Sequence, residues 1–409
     1  MKRAGIVTLY HENNNYGGLL QAYALNRIVR QMGYSCLTID YRPSPMPVKE
    51  KFSRKIRQDG IMAAAKAAAH LSVKILWKRV ICFFTPGSTE KIRMREERTG
   101  EFRRNRIPHT KETYDSKTIT KTADAFDLFL CGSDQIWNMG CAGSFDPVYW
   151  LDFVPEGRKK ASYAASMPLP EIPVQEKNEI RRRVRALDAV SVREEQGGKL
   201  LEPLLGEKIP VVLDPVLLVE KSHFEQMGKN RIVRQPYVFV YFLGNSKAAR
   251  KSVRDWAKKR NIKIVCIPYL LSEYRGCDRN FGDVQIWDAG PEEFLSLIRY
   301  SEYVVTDSFH AAVFSAIFNK EFWVFKRDGD QDKRSMNTRI EYLMELFLTG
   351  DRLIPPSRLE ESFNCTEKID YRRVNQRIGT ERKKSLEYLR QILEDEVKEE
   401  KVQDEDQSA

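Results

Sequence analysis

Val304-Val305-Thr306-Asp307-Ser308-Phe309-His310-Ala311-Ala312 decides how this chain folds. An apolar β-branched run stops at an Asp-Ser break, and an alanine-rich helical pattern begins at Phe309. Strand, tight turn and helix in that order put His310 in the first turn of a helix, at the C-terminal edge of a sheet. Open α/β sheets bind their ligands at that edge. A helix start also offers free N–H groups and a partial positive charge to an anion. The chain has only five histidines, and this one stands where an anionic substrate is expected. A helix-start histidine satisfied by a neighbouring carbonyl is the plainer alternative.

Working outward, the same alternation recurs. Strands are expected at 237–242, 263–267, 303–306 and 321–325, with helices at 247–260, 291–300 and 309–318. The opening of the chain repeats it: a strand at 4–10, an Asn/Gly loop at 13–18, a helix with apolar residues from Leu19 to Val29, and a strand at 35–40. Pro43, Pro45 and Pro47 then interrupt the pattern, and a basic helical insertion runs from about Phe52 to Arg106. Sheet elements resume at 125–131, 159–164 and 189–192, with a helix at about 175–185. Val211-Val212-Leu213-Asp214-Pro215 closes the first unit, and a polar, charged stretch (220–235) leads into the second. A last helix is expected at 380–400, ending in an acidic tail. The fold class is α/β: two Rossmann-like domains facing across a cleft, at 1–222 (with the insertion at about 45–115) and 233–355, followed by a C-terminal segment at 374–409.

At 409 residues, two cores are the natural expectation. The net charge of +11 points to an anionic partner. No basic tail, zinc-finger or helix-turn-helix signature accompanies it, so nucleic acid ranks last. The seven cysteines include no CxxC pair, which argues against a zinc site and a disulfide framework; no metal is expected. Met1 to Val7 enters a strand without an apolar leader, and no uncharged apolar run of about 18 residues follows. A cytoplasmic protein is expected.

Several loops at strand ends carry polar groups suited to a ligand. Asn15, Tyr16, Gly17 and Gly18 lie between the first strand and first helix, where glycines let backbone approach a ligand. The loop is not GxGxxG and lacks a P-loop lysine, so a tight βα turn is an equal reading. Ser133, Asp134, Gln135, Trp137 and Asn138 follow an apolar strand; the polar groups suit sugar hydroxyls, and Trp137 offers either a sugar platform or a core ring. Arg193 directly follows a strand, where its planar fork suits a carboxylate or phosphate; a surface pair with Glu194 is the alternative. Lys326 and Arg327 invite the same reading. Lys66, His70, Lys74 and Lys78 recur every four positions against apolar residues. Such a helix either rests on an anionic membrane at its inner face or, more commonly, packs on its own domain with a solvated basic face.

With these residues in place, the chain resembles the polysaccharide pyruvyl transferase family. The matching stretches are 5–42 with its Asn-Tyr-Gly-Gly-Leu-Leu-Gln core, Gly132 to Asn138, Ser162 to Ser166, Ser191 to Glu194, Leu213-Asp214-Pro215, Val305 to His310 and Asn337 to Ile340. The resemblance implies a GT-B-like pair of domains, with the first on the acceptor side and the second on the donor side. It also implies transfer of the enolpyruvyl unit of phosphoenolpyruvate onto two hydroxyls of a cell-surface glycan or its lipid-linked precursor. Phosphoenolpyruvate is then a co-substrate and no cofactor is needed. By position, His310 is the proton donor to the enol carbon or the phosphate binder, and Arg193 the anion clamp. Ser308, Phe309, Lys326 and Arg327 fall to the donor; Asn15 to Gly18, Ser133 to Gln135, Trp137 and Asn138 fall to the acceptor. The chain departs from the family at Ser308, where sugar-modifying members commonly carry an arginine, and Lys326, Arg327 and Arg339 are its possible substitutes. Two other readings share the fold: a glycosyltransferase using a sugar nucleotide, and a non-catalytic glycan-binding protein.

Overall fold

The computed structural model of the protein describes residues 1–43, 88–138, 146–271, 275–327, 337–365 and 367–394. Lys66, His70, Lys74 and Lys78 of the basic helix, and the acidic tail beyond 394, lie outside them.

The first unit holds β1 (Arg3–Val7), α1 (Tyr16–Gln31), β2 (Ser35–Tyr41), α2 (Ser88–Arg106), β3 (His109–Tyr114), β4 (Leu128–Cys131), β5 (Lys159–Ser162), α3 (Lys177–Arg185), α4 (Glu195–Leu205) and α5 (Lys221–Met227). Its sheet has the order β3-β2-β1-β4-β5 and is parallel throughout, with Ala4 opposite both Cys36 and Leu128. The second unit holds β6 (Tyr237–Tyr241), α6 (Lys247–Lys259), β7 (Lys263–Cys266), β8 (Val284–Gln285), α7 (Pro291–Arg299), β9 (Tyr303–Thr306), α8 (Phe309–Ile317), β10 (Glu321–Phe325), α9 (Asn337–Leu346) and β11 (Leu353–Ile354). Its sheet, β11-β10-β9-β6-β7-β8, is also parallel. Two short parallel-sheet α/β units make the GT-B-like pair expected.

Burial explains the strand composition. β6 (Tyr-Val-Phe-Val-Tyr) is buried at every position, as a strand covered by helices on both faces must be. The strands that sequence did not anticipate lack that signature. β3 (His-Thr-Lys-Glu-Thr-Tyr) is a polar edge strand, and β8 and β11 have two residues each. Residues 189–192 do not form a strand of their own; Ala189 and Val192 make isolated bridges beside β5, and Val192 bridges Val211.

The C-terminal helix begins earlier than periodicity suggested. α10 (Leu359–Cys365) precedes α11 (Tyr371–Glu394), which starts on the second unit and ends on the first. The Tyr371 hydroxyl donates to Lys320 O, while Ser385 Oγ accepts from Leu213 N at 3.0 Å and Tyr388 donates to Val190 O at 3.0 Å. One contiguous apolar cluster includes Leu20 of α1, Phe294 of α7, Phe314 of α8 and Leu389 of α11. The two units therefore share a core and meet in a fixed relation.

Each sheet reverses its strand order once, between β1 and β4 in the first and between β6 and β9 in the second. Crevices for ligands form outside the carboxyl ends of strands at such switch points. The loops leaving these four strands carry Asn15 to Gly18, Ser133 to Asn138, Gly244, and Asp307 to His310.

Candidate functional site

His310 lies in the first turn of α8, which is buried along its whole length. Its N-cap is Ser308, whose side chain accepts from Ala311 N, while Ser308 N donates to Thr306 Oγ1 at 3.0 Å. Ser308 therefore closes the helix start. Its hydroxyl serves the backbone of its own turn.

Across the cleft, α1 is capped by Asn15, whose Oδ1 accepts from Gly17 N (3.0 Å) and Gly18 N (3.3 Å). The two helix starts meet. A Cβ on Gly17 would fall 2.0 Å from Nδ1 of His310, so only glycine lets the imidazole come so close. Gly18 is packed similarly: a Cβ there would fall 3.0 Å from Oδ2 of Asp134. Asn13 braces this turn by donating to Leu9 O and accepting from Asn15 N.

Asp214 joins the units from below. Its Oδ2 accepts from Arg193 Nη1 at 2.7 Å and from Ser133 Oγ at 3.4 Å, and stands 3.5 Å from His310 Nε2. Its Oδ1 accepts from Val216 N at 3.1 Å. Burial alone would raise this carboxyl, but His310, Arg193 and the Val216 N–H outweigh it and hold Asp214 below the usual carboxylate range. Asp214 is thus a fixed negative charge beneath the histidine. In the sequence it marks the end of the first unit and part of a stretch matching the family, with no role assigned to it. The available signal was an aspartate enclosed by Val211-Val212-Leu213 and Pro215-Val216-Leu217, a charge with nowhere apolar to hide unless paired.

Arg193 is buried rather than paired at the surface, and its guanidinium carbon lies 4.5 Å from the centroid of the Phe309 ring. Burial opposes its charge, yet Asp214, Glu194 and Asp134 keep its pKa raised. Its Nε and Nη2 are buried without a hydrogen-bond partner. Glu194 accepts from Met167 N (2.6 Å) and Ser166 Oγ (3.0 Å), and burial raises its carboxyl against the pull of Arg193 and Arg339. Arg339, on α9, reaches the same Phe309 ring at 5.9 Å. Burial first, then the neighbouring guanidiniums of Arg193 and Arg327, push Arg339 down to about 10. The three guanidiniums thus stand close enough to act on one another, two of them against the ring of Phe309, the neighbour of His310.

Arg327 donates to Asp307 O at 2.8 Å. The Asp307 carboxylate is itself held by Leu243 N (2.6 Å) and Gly244 N (2.7 Å), tying the β6 turn to the β9 turn. Lys326 pairs with Glu341 of α9 at 3.2 Å.

Two residues assigned to an acceptor stand elsewhere. Trp137 is fully buried, stacked on Trp150 with centroids 4.5 Å apart, and its indole N–H donates to Tyr149 O at 3.1 Å. It is a core ring with no face for a sugar. Tyr16 is equally enclosed; its hydroxyl donates to Ala289 O at 2.9 Å and accepts from Arg95 Nε at 2.7 Å. Tyr16 fastens α1 to the second unit. Arg95 was missed because its partner is distant in sequence. Gln135 and Asn138 bond each other through their side chains, and Ser133 is buried against Asp214. Asp134 is buried beside Gly18, within electrostatic reach of Arg193 and Arg339. Among the described residues no His/Cys/Asp/Glu group could hold a metal ion, and no helix is long and apolar enough to cross a membrane.

A model of the polysaccharide pyruvyl transferase family matches residues 15–329. The protein belongs to that family and is a transferase. No curated protein matches its sequence. Among solved structures it is similar to UDP-GlcNAc 2-epimerase from Methanocaldococcus jannaschii, at 10% identity and a TM-score of 0.49 over 90% of this chain and 94% of that one. The S. aureus MnaA–UDP co-structure is similar at 11% identity, TM-score 0.49, covering 96% and 97%. MurG of Acinetobacter baumannii follows at 7% identity, TM-score 0.42, covering 96% and 99%.

Proposed function

We propose that the cleft transfers the enolpyruvyl group of phosphoenolpyruvate to two hydroxyls of a sugar in a cell-surface polysaccharide or its lipid-linked precursor. The observation that carries this reading is the grouping of Arg193, Arg327 and Arg339, with Arg193 sharing Asp214 with His310 and two of its buried donor nitrogens without a hydrogen-bond partner. Buried donors without acceptors are costly, and a carboxylate or phosphate would satisfy them. Arg339 takes the part of the arginine that family members commonly carry where this chain has Ser308.

In the reaction, the imidazolium of His310 gives its proton to the methylene carbon of phosphoenolpyruvate. An oxocarbenium-like centre forms at the neighbouring carbon, and the first sugar hydroxyl bonds to it, losing its proton to restore His310. The carbon–oxygen bond to phosphate then breaks, and the second hydroxyl closes the ketal while its proton leaves with phosphate. Asp214 supplies the counter-charge to the imidazolium, and the arginines stabilise the departing phosphate. No cofactor enters this scheme. Asp134, at the mouth of α1, is the acceptor-binding group this reading favours. On this reading the protein works in the cytoplasm, where phosphoenolpyruvate is made, with glycan precursors as partners.

Incubating the pure protein with phosphoenolpyruvate and a panel of bacterial glycans, and following phosphate release, tests the proposal. Release that requires the acceptor and vanishes in His310→Ala supports it. Absence of release, together with tight binding of a sugar nucleotide, would favour a glycosyltransferase instead.

A further inference from the structure

On the opposite edge of the first sheet from His310, where α1 ends and β2 begins, lies a cleft of about 590 Å³. Arg27, Arg30 and Arg106 line it, and no aspartate or glutamate stands among its lining residues. Arg106 is engaged by Glu292 of α7 at 2.6 Å. Arg27 and Arg30 have no ion-pair partner among the described residues. Asn26, also lining the cleft, is fully buried. Its amide donates to Pro108 O at 3.1 Å and Thr38 Oγ1 at 3.3 Å, but its Oδ1 is buried with no hydrogen-bond partner. Such an acceptor calls for a donor. Tyr23, on the same wall, shares a 2.6 Å hydrogen bond with His223 Nε2. Burial first, then the charges of Arg27 and Arg106, hold the His223 imidazole below its ordinary value.

We propose that this cleft binds a phosphate ester that also carries a hydroxyl. The phosphate lies between the guanidiniums of Arg27 and Arg30, whose planar forks match its oxygens, and the hydroxyl donates to Asn26 Oδ1. The site is separate from the pyruvyl-transfer cleft and does not depend on that reading. Its ligand is a free sugar phosphate or the head group of a hydroxylated phospholipid; both present the same chemistry.

Calorimetry on the full chain with glucose 1-phosphate, with sulfate (which has no hydroxyl to give) and with phosphatidylglycerol vesicles tests the site. NMR titration of the His223 ring provides a local readout. Glucose 1-phosphate or the vesicles should bind, sulfate more weakly, and the bound anion should move the His223 titration to higher pH. The double variant Arg27→Gln/Arg30→Gln should weaken binding at least about tenfold, while Arg254→Gln on α6 leaves it unchanged. Binding of vesicles alone assigns the ligand to a lipid head group, and binding of the sugar phosphate assigns it to a soluble ester. The proposal fails if neither binds, if the double variant binds as well as the parent, or if Arg254→Gln causes the same loss.

Discussion

Gly17 and His310 are pressed together across the two units: a methyl group on the glycine would stand 2.0 Å from the imidazole Nδ1. The ring of the candidate acid is thereby positioned by the backbone of the opposite helix start. Gly17→Ala should cost about 1–3 kcal/mol through overpacking and displace the ring. In a His310→Ala background the same change should cost far less, giving a coupling of about 1 kcal/mol or more. Urea unfolding of the four proteins measures it; equal penalties in both backgrounds would show that the contact is not the constraint.

His310→Gln keeps a polar side chain but removes the acid. Acceptor-dependent phosphate release should fall by about 10²- to 10⁴-fold, with binding of phosphoenolpyruvate largely retained. Steady-state kinetics beside equilibrium binding separates the two.

Asp214 gives a pH signature with a definite sign. Its folded pKa is below the usual carboxylate value, so its contribution to stability is present above about pH 4, the unfolded value, and is lost as pH falls through the folded one. Asp214→Asn should cost about 3–5 kcal/mol at neutral pH by removing the nearest counter-charge of buried Arg193, which keeps only the longer 3.8 Å pair with Glu194. The gap between parent and variant should narrow below about pH 4. Chemical denaturation across the acid range reads it directly.

Arg339→Gln should raise the KM for phosphoenolpyruvate about 10- to 100-fold, as expected when a charged hydrogen bond to an anion is lost, and Arg339→Lys should recover part of it. An unchanged KM would remove Arg339 from the donor site.

Trp137→Leu should lower stability by about 3 kcal/mol, a large-to-small change in a stacked core pair, and leave the KM for the glycan acceptor unchanged. A selective loss of acceptor affinity would restore the sugar-platform reading.

The fold was legible where burial leaves a mark on composition. Tyr237 to Tyr241 and Tyr303 to Thr306 are enclosed on both faces, so their apolar runs announce strands. β3 carries no such mark because its polar side chains face solvent at the sheet edge. In the site, His310 was legible because a strand runs into its helix start, and Arg193 because Val190-Ser191-Val192 reads as a strand, although the structure gives that stretch only isolated bridges. Asp214 went unassigned because its partners, Arg193 and His310, come together only through the tertiary fold. Trp137 shows the limit of residue type as a guide: the same ring serves a sugar or a core, and Trp150, thirteen positions on in sequence, decides for the core. At Asn15 the side chain that looked ready for a ligand is spent on the first turn of its own helix.

The central claim concerns where a proton goes, and the product made in deuterium oxide tests it most directly. Phosphoenolpyruvate, an accepted glycan and the protein should yield a pyruvate ketal whose methyl group carries a single solvent deuterium, with one phosphate released per ketal, as read by mass spectrometry. A ketal without that deuterium would contradict the role of His310 as acid to the enol carbon. Phosphoenolpyruvate left intact beside every glycan, while a sugar nucleotide is consumed, would contradict pyruvyl transfer itself.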